Sequence, residues 1–225
     1  MPFGVLRLRY YLLNGETIMT KVLHIHASPK REYSASGKLT SMFIDAYREK
    51  HPDHEVETLS LFECELPEFG YDQTVAKFAP IFGDDLNDQQ EKKWQVILDM
   101  IAGFDSADKI IVSTPMWNGS IPYKLKHYID ILVQPLVSFG FDPETGEHFG
   151  LLRDRPLQFI LTRSSVPVGD PFDNQLPYLK SIFDFIGIRD HRTVIAESTT
   201  LPTPEERAQY IQSFSETLRA AATEF

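Results

Sequence analysis

Residues 21–36, KVLHIHASPKREYSAS, decide the fold. The first part is a short apolar run that predicts a strand. The run leads through a polar loop into a segment whose apolar residues recur at helical spacing. A strand that passes through a loop into a helix is the repeating unit of a parallel sheet with crossover helices. The same alternation continues along the chain and predicts five strands, at residues 22–27, 55–59, 109–113, 157–163 and 192–197.

Helical spacing fills the intervals between and after these strands. Five strands and five helices in this order predict an α/β fold. The expected architecture is a doubly wound five-stranded parallel sheet, with right-handed crossovers that place helices on both faces. Two connections, residues 62–88 and 134–154, exceed ordinary loops, and we expect them to form binding walls, an interface or a lid. The predicted helices are residues 36–49, 89–102, 121–132, 176–186 and 204–222.

The composition is that of a globular protein and excludes several classes. Of 225 residues, 42% are hydrophobic and 24% are charged, which excludes disordered, collagen-like and disulfide-scaffold chains. The net charge, 22 − 32 = −10, repels a phosphate backbone, so we expect no nucleic-acid partner. Cys64 is the only cysteine, which excludes an internal disulfide and a cysteine-based zinc site. A single thiol also fits a reducing compartment, so we expect a cytoplasmic protein.

The first 18 residues are expected to lie outside the core fold. Arg7 and Arg9 interrupt their apolar run, which is therefore too short for a membrane span, and no signal-peptide cleavage signature follows. Met19 directly precedes the first predicted strand, which leaves open whether these residues are translated in the cell. We therefore expect an N-terminal extension at residues 1–18, one domain at residues 19–225, and no membrane partner.

The loop after the first strand has the features of a phosphate site. Ligands of an open α/β sheet bind beyond the carboxyl ends of its strands. There, Ser34 and Ser36 bring hydroxyls to the first amides of the following helix, an arrangement that holds a phosphate through hydrogen bonds and the helix dipole. The simpler interpretation is that Ser34 only caps the helix. The loop has neither Gly-x-Gly-x-x-Gly nor the Walker lysine signature, so a dinucleotide Rossmann site and an NTPase are not indicated.

Two other groups of polar residues include possible metal ligands but lack the pattern of a metal site. His24 and His26 point to the same side of the first strand, but no third ligand is evident, so packed histidines are favoured. Asp84, Asp85 and Asp88 lack the spacing of a calcium loop. We expect no metal.

The loop after the third strand carries the clearest motif. Residues 113–122 read STPMWNGSIP and continue as YKLKHYID at 123–130. Pro-Met-Trp-Asn followed by Ile-Pro-x-x-Leu-Lys-x-Tyr-x-Asp resembles the family of FMN-dependent NADH azoreductases and NAD(P)H quinone oxidoreductases, whose fold is flavodoxin-like. Ser-Ala-Ser at 34–36, Pro-Tyr-Leu at 177–179 and Phe-Ile-Gly-Ile at 185–188 resemble the same family. The resemblance therefore runs from Lys21 to near Arg219.

That resemblance implies a bound FMN held by the loops after the first, third and fourth strands. The first would hold the phosphate and ribityl chain, and the second would line the flavin ring. Ser164 and Ser165 stand where many relatives have Gly-Gly, which leaves their effect on FMN binding open, and Trp117 and Gly119 replace a commoner Tyr and Phe. A core position is the alternative for Trp117. The implied FMN-binding residues are Ser28, Ser34, Ala35, Ser36, Pro115, Met116, Trp117, Asn118, Gly119, Thr162, Arg163, Ser164 and Ser165.

The resemblance also implies an enzyme. NADH or NADPH would deliver hydride to FMN, and a quinone or azo compound would then take both electrons in a ping-pong cycle without a catalytic side chain. The substrate wall is expected from Trp117, Phe141 and, across a homodimer, Phe185. The alternative is a non-enzymatic flavodoxin-like electron carrier or FMN-binding interaction module, although the two long connections favour a substrate cavity. The physiological acceptor, the choice between NADH and NADPH, and the proton donor stay open.

Overall fold

The computed structural model describes residues 19–225, so the predicted extension at 1–18 lies outside the described residues. Seven strands occur in this part of the chain: β1 Lys21–His26, β2 Glu55–Ser60, β3 Lys109–Pro115, β4 Phe139–Phe141, β5 His148–Gly150, β6 Leu157–Thr162 and β7 His191–Ala196. Five of them form one parallel sheet in the order β2-β1-β3-β6-β7. β4 and β5 form a separate antiparallel hairpin.

The same residues contain seven α-helices, and a short 3-10 turn, Arg31–Tyr33, precedes the first of them. Within residues 19–225, no helix combines the length and apolar character that a bilayer crossing requires. The helices are α1 Ala35–Lys50, α2 Tyr71–Phe82, α3 Asp88–Asp105, α4 Tyr123–Leu132, α5 Gln175–Phe185, α6 Pro204–Gln212 and α7 Ser215–Glu224.

The sheet has a separate hydrophobic core on each face. Along β1, Leu23 and Ile25 belong to the core that includes buried side chains of α3, α4 and α5. Val22 belongs to the opposite core, which includes side chains of α1, α6 and α7. All six residues of β6 are buried, as expected for a central strand covered on both faces. The predicted doubly wound parallel sheet is therefore confirmed.

Strand boundaries agree with prediction within two residues, but residues 204–222 form two helices instead of one. α6 ends at Gln212 and α7 begins at Ser215. The ring of Phe214, between them, packs edge-on against Tyr210 at 5.3 Å between centroids. Because both helices bury side chains against the same core, their apolar spacing reads as one continuous helix.

The two long connections contain more regular structure than predicted. Residues 62–88 include α2, which carries Pro80 inside it and ends at Gly83 with a left-handed φ of 76°. A proline within a helical pattern predicts a break, which hides this helix in the sequence. Residues 134–154 include the β4–β5 hairpin, whose strands of three residues each are too short to give an alternating pattern.

Candidate functional site

A cavity of about 1370 Å³ opens at the carboxyl ends of the central strands. Its walls come from the loops after β1, β3, β6 and β7, the edge at which an open α/β sheet binds ligands. Most of the residues that the sequence assigns to a cofactor meet here. Those that line the cavity are Ser28, Ser34, Ala35, Ser36, Pro115, Met116, Trp117, Thr162, Arg163 and Ser164.

One end of the cavity is the N-terminus of α1. Ser34 is the N-cap residue, and its Oγ accepts a hydrogen bond from the Gly37 N–H at 3.0 Å. The Oγ atoms of Ser34 and Ser36 lie 3.1 Å apart, and both side chains are buried. The first amides of a helix have no partner within the helix, so those of Ala35 and Ser36 are donors at this end. Ser34 does cap the helix, and the same N-terminus also borders the cavity.

Cationic side chains surround this end although the whole chain is acidic. Lys30, Arg31, Lys38 and Arg207 all border the cavity and are exposed. Sequence analysis did not assign these four residues, and only the adjacency of Lys30 and Arg31 to Ser34 was a usable signal. Arg207 reaches the cavity because the fold brings α6 beside α1, which no local pattern reveals. The arrangement favours an anionic group at the helix N-terminus.

The loop after β3, Met116–Gly119, contributes Met116 and Trp117 to the cavity wall. The N–H of Met116 donates to the Thr162 carbonyl at 2.7 Å, and Trp117 and Ser120 exchange two backbone hydrogen bonds of 2.9 Å. Between them, Asn118 and Gly119 adopt positive φ angles of 50° and 75°, the geometry of a tight turn. Asn118 is exposed, and neither turn residue lines the cavity.

Trp117 is half-buried at the cavity wall and is not a fully buried core residue. Its ring lies 5.9 Å from that of Phe62 and 6.4 Å from that of Tyr123, between centroids. Phe62 and Tyr123 themselves meet edge-to-face at 5.6 Å. These three rings form an aromatic group beside the cavity, which suits a flat apolar ligand.

The loop after β6 accommodates serine without backbone strain. Within residues 19–225 the non-glycine residues with positive φ are Arg31, Asn118 and Leu136, so Ser164 and Ser165 are not in a conformation that requires glycine. Ser164 lines the cavity, and its Oγ accepts a hydrogen bond from the Thr200 hydroxyl at 2.9 Å. Ser165 does not line it.

A family model described as "Flavodoxin-like fold" matches residues 20–221. The chain belongs to this flavodoxin-like family.

Relatives of this flavodoxin-like protein have named activities. An FMN-dependent NADH:quinone oxidoreductase of Nitratidesulfovibrio vulgaris is 38% identical over 211 residues, which cover 92% of this chain and 100% of that protein. The crystal structure of an azoreductase from Bacillus anthracis is 30% identical, with a TM-score of 0.80 and coverage of 92% of this chain and 100% of that one. An FMN-dependent NADH-azoreductase from Bacillus anthracis, solved in complex with FMN, is 26% identical, with a TM-score of 0.78 and coverage of 92% and 99%.

In this flavodoxin-like protein, Phe141 and Phe185 lie outside the cavity. Phe141 is 36% exposed in β4. The ring of Phe185, at the end of α5, packs against Phe139 at 4.6 Å and His148 at 5.7 Å between centroids. Both therefore belong to the surface formed by the hairpin and α5. Their assignment as substrate wall stays a prediction that requires a second subunit.

His24 and His26 join a hydrogen-bond chain behind the cavity. His24 Nε2 and His26 Nδ1 lie 2.8 and 2.9 Å from Ser113 Oγ, and His24 Nδ1 lies 3.2 Å from Thr58 Oγ1. Burial, reinforced by the charge of His26, lowers the pKa of His24 to about 3. Burial also lowers the pKa of His26, and Glu63 partly opposes this shift. Within residues 19–225, no group of three or more ligating side chains is positioned to hold a metal.

Proposed function

We propose that this chain is an FMN-dependent NAD(P)H oxidoreductase that binds FMN in the cavity and reduces quinones and azo compounds. The observation that carries the proposal is one cavity that joins the N-terminus of α1, with Ser34 and Ser36, to the half-buried ring of Trp117. A phosphate suits the first and a flat ring suits the second. The names of the relatives point to the same cofactor and the same substrates.

The donors around the cavity fit FMN. Hydroxyls, helix amides and the cationic side chains of Lys30, Arg31 and Lys38 gather where the phosphate would lie. At the loop after β6, the buried Nε of Arg163 has no hydrogen-bond partner among the described residues, which leaves a donor for an acceptor outside the chain. When bound, FMN would supply the redox chemistry, which is two-electron transfer from a nicotinamide to the acceptor.

The protein's own amides and hydroxyls would bind and orient the FMN. In the loop Met116–Gly119, the amides of Met116 and Trp117 already donate to Thr162 and Ser120. The amides of Asn118 and Gly119, next to the cavity-lining Trp117, are therefore the donors that this loop would offer to the polar edge of a bound ring. Donors at that edge stabilise the negative charge that develops on reduction. Ser34 and Ser36 hold the other end of the cofactor at α1.

We infer a ping-pong cycle: with FMN bound, one open face beside Trp117 would hold the nicotinamide and the acceptor in turn. Double-reciprocal plots at several fixed menadione concentrations should then be parallel. Intersecting plots would exclude this order of binding.

The purified protein tests the cofactor and the enzyme class together. We expect a visible flavin spectrum, release of FMN on denaturation, bleaching by anaerobic NADH or NADPH, and multiple-turnover oxidation of that donor with menadione. A protein that takes up no added FMN would contradict the proposal. Bound FMN without nicotinamide turnover would identify a carrier or an interaction module instead.

A homodimer completes the proposed site. Leu136, Phe149 and Leu151 near the hairpin are each 46–49% exposed, and they surround the surface that carries Phe141 and Phe185. Light scattering should give about 52 kDa, twice the chain mass of 25.8 kDa. A stable, active monomer would remove this part of the proposal. We propose the cytoplasm as the location, because reduced nicotinamides are intracellular and the free Cys64 fits a reducing compartment.

A further inference from the structure

We propose that the buried ion pair between Arg163 and Asp173 positions the loop Met116–Gly119, and thereby sets the affinity and reduction potential of the flavin. The inference rests on the proposed function for its flavin readouts. Asp173 is a positioning residue, because it acts through the loop and does not line the cavity. Arg163 also borders the cavity, so the positioning role is tested by changing its partner Asp173.

The pair is built for a fixed geometry. Arg163 is 2% exposed and Asp173 is 7% exposed, and Arg163 Nη1 donates to Asp173 Oδ2 at 2.8 Å. Gln175, fully buried, accepts from Arg163 Nη2 at 3.2 Å through Oε1 and donates its backbone N–H to Asp173 Oδ1 at 3.1 Å. Two of the three guanidinium nitrogens of Arg163 are therefore hydrogen-bonded within this network, and removal of the Asp173 charge would leave the buried cation unpaired.

Residues 172–175, the segment that carries Asp173, contact the loop Met116–Gly119. The N–H of Asn174 donates to the Gly119 carbonyl at 2.7 Å, and Gln175 Nε2 donates to the Thr114 carbonyl at 3.4 Å. Gly119 packs so closely against this segment that a Cβ added to it would lie 2.6 Å from the Phe172 carbonyl oxygen. Contacts on both sides of the loop, at Thr114 and Gly119, therefore come from one short segment.

Arg163 ties that segment to the sheet. It follows β6 directly, its N–H donates to the Ala196 carbonyl at 2.9 Å, and its carbonyl accepts from both the N–H and the hydroxyl of Thr199. The segment itself has little apolar support, since Val168 is 53% and Phe172 is 56% exposed. The N–H of Met116 bonds the start of the loop directly to Thr162 of β6. The ion pair is the side-chain connection through which the end of β6 fixes the segment that supports the other end of the loop, at Gly119.

Asp173→Asn keeps the shape of the side chain and removes its charge. We expect the Met116–Gly119 loop to shift, so that one or two hydrogen bonds to the ring are lost. The dissociation constant for FMN should rise roughly tenfold, and the reduction potential should become more negative. Amide hydrogen exchange across residues 117–120 should accelerate in the FMN-free protein. Asp173→Glu retains the carboxylate but displaces it by one methylene, so it should change each property in the same direction by a smaller amount.

Asp105→Asn is the matched control. Asp105 is the partner of another buried arginine, Arg155, at the opposite, amino-terminal edge of the sheet. Its loss should lower the free energy of unfolding without altering the flavin potential or the exchange of residues 117–120.

The outcomes separate the two proposals. If the wild type binds no FMN, the proposed function fails, while the exchange comparison still tests the positioning role. If Asp173→Asn leaves exchange, affinity and potential unchanged, or changes them no more than Asp105→Asn does, the positioning role is wrong. Should Asp173→Asn fail to fold, Asp173→Glu supplies the test, because it should give an intermediate exchange rate, and wild-type exchange and potential in that variant would overturn the inference.

Discussion

We expect the Ser34 hydroxyl to perform two tasks, as the N-cap of α1 and as a phosphate ligand. It accepts the Gly37 N–H at the start of α1, and it lies within 3.1 Å of Ser36 Oγ at the cavity wall. As a helix cap the hydroxyl oxygen accepts, and as a phosphate ligand the same O–H would donate, so the two interpretations of this residue are compatible.

Replacing both Ser34 and Ser36 with aspartate separates the two tasks. Aspartate is a good N-cap, so α1 should persist, but two carboxylates would repel the phosphate. Repulsion between each carboxylate and a phosphate ~4 Å away should weaken the binding free energy by about 1 kcal/mol or more. FMN affinity, measured by fluorescence titration, should therefore fall by more than about tenfold. Thr217→Asp, on the exposed side of α7, is the control and should bind FMN normally. Unchanged affinity in the double variant would refute the phosphate assignment.

At the scale of elements, the hairpin is held against the end of α5 by contact between two glycines. A Cβ added at Gly150 would lie 2.2 Å from the Gly187 nitrogen. Gly150→Ala should therefore push the hairpin away and lower the free energy of unfolding by about 1–3 kcal/mol, measured by urea denaturation. Gly103→Ala, in α3 with open space around it, should instead stabilise by up to ~1 kcal/mol. Equal stability of Gly150→Ala and wild type would mean that the hairpin does not need this contact.

A substitution in the hairpin should change the choice of acceptor without changing the affinity for FMN. Phe141 lies on β4, away from the four loops that border the cavity, so Phe141→Ala should leave FMN affinity within about twofold. The ratio of kcat/KM for a quinone to that for an azo dye should change roughly tenfold, because a lost apolar contact is felt differently by the two acceptors. Phe82→Ala, a 71% exposed phenylalanine at the end of α2, should leave that ratio unchanged. A large loss of FMN in Phe141→Ala would place this residue among the cofactor contacts.

Elements with long, regular patterns could be predicted from sequence, and those with interrupted patterns could not. β1, β3 and β6 are continuous apolar runs, and the loops after them contain the residues assigned to the cavity. α2 is interrupted by Pro80, and β4 and β5 are three residues each. Asp173 and Gln175 could not be associated with Arg163, because their contact depends on the path of the intervening loop. The hydrogen-bonding state of each amide near Trp117 also required coordinates.

For the whole molecule, the buried histidine His24 makes stability depend on pH. The pKa of His24 falls from 6.5 in the unfolded chain to about 3 in the fold, so this contribution is fully present above 6.5 and declines as the pH falls towards 3. At pH 5 the folded state should lose about 2 kcal/mol relative to pH 7 from this group. Urea unfolding at both pH values measures the loss, and His24→Gln should show a smaller pH dependence. The same loss in His24→Gln would assign it to other groups.

The position of Trp117 gives the molecule an optical signal of its own. The sequence contains two tryptophans, and Trp94 lies in α3 while Trp117 borders the cavity. Indole emission overlaps the near-ultraviolet and blue absorption of a flavin, so a flavin ring bound beside Trp117 would quench the fluorescence of Trp117 by resonance energy transfer. In a Trp94→Phe background, the remaining emission lifetime would report occupancy of the site in real time, without any added dye.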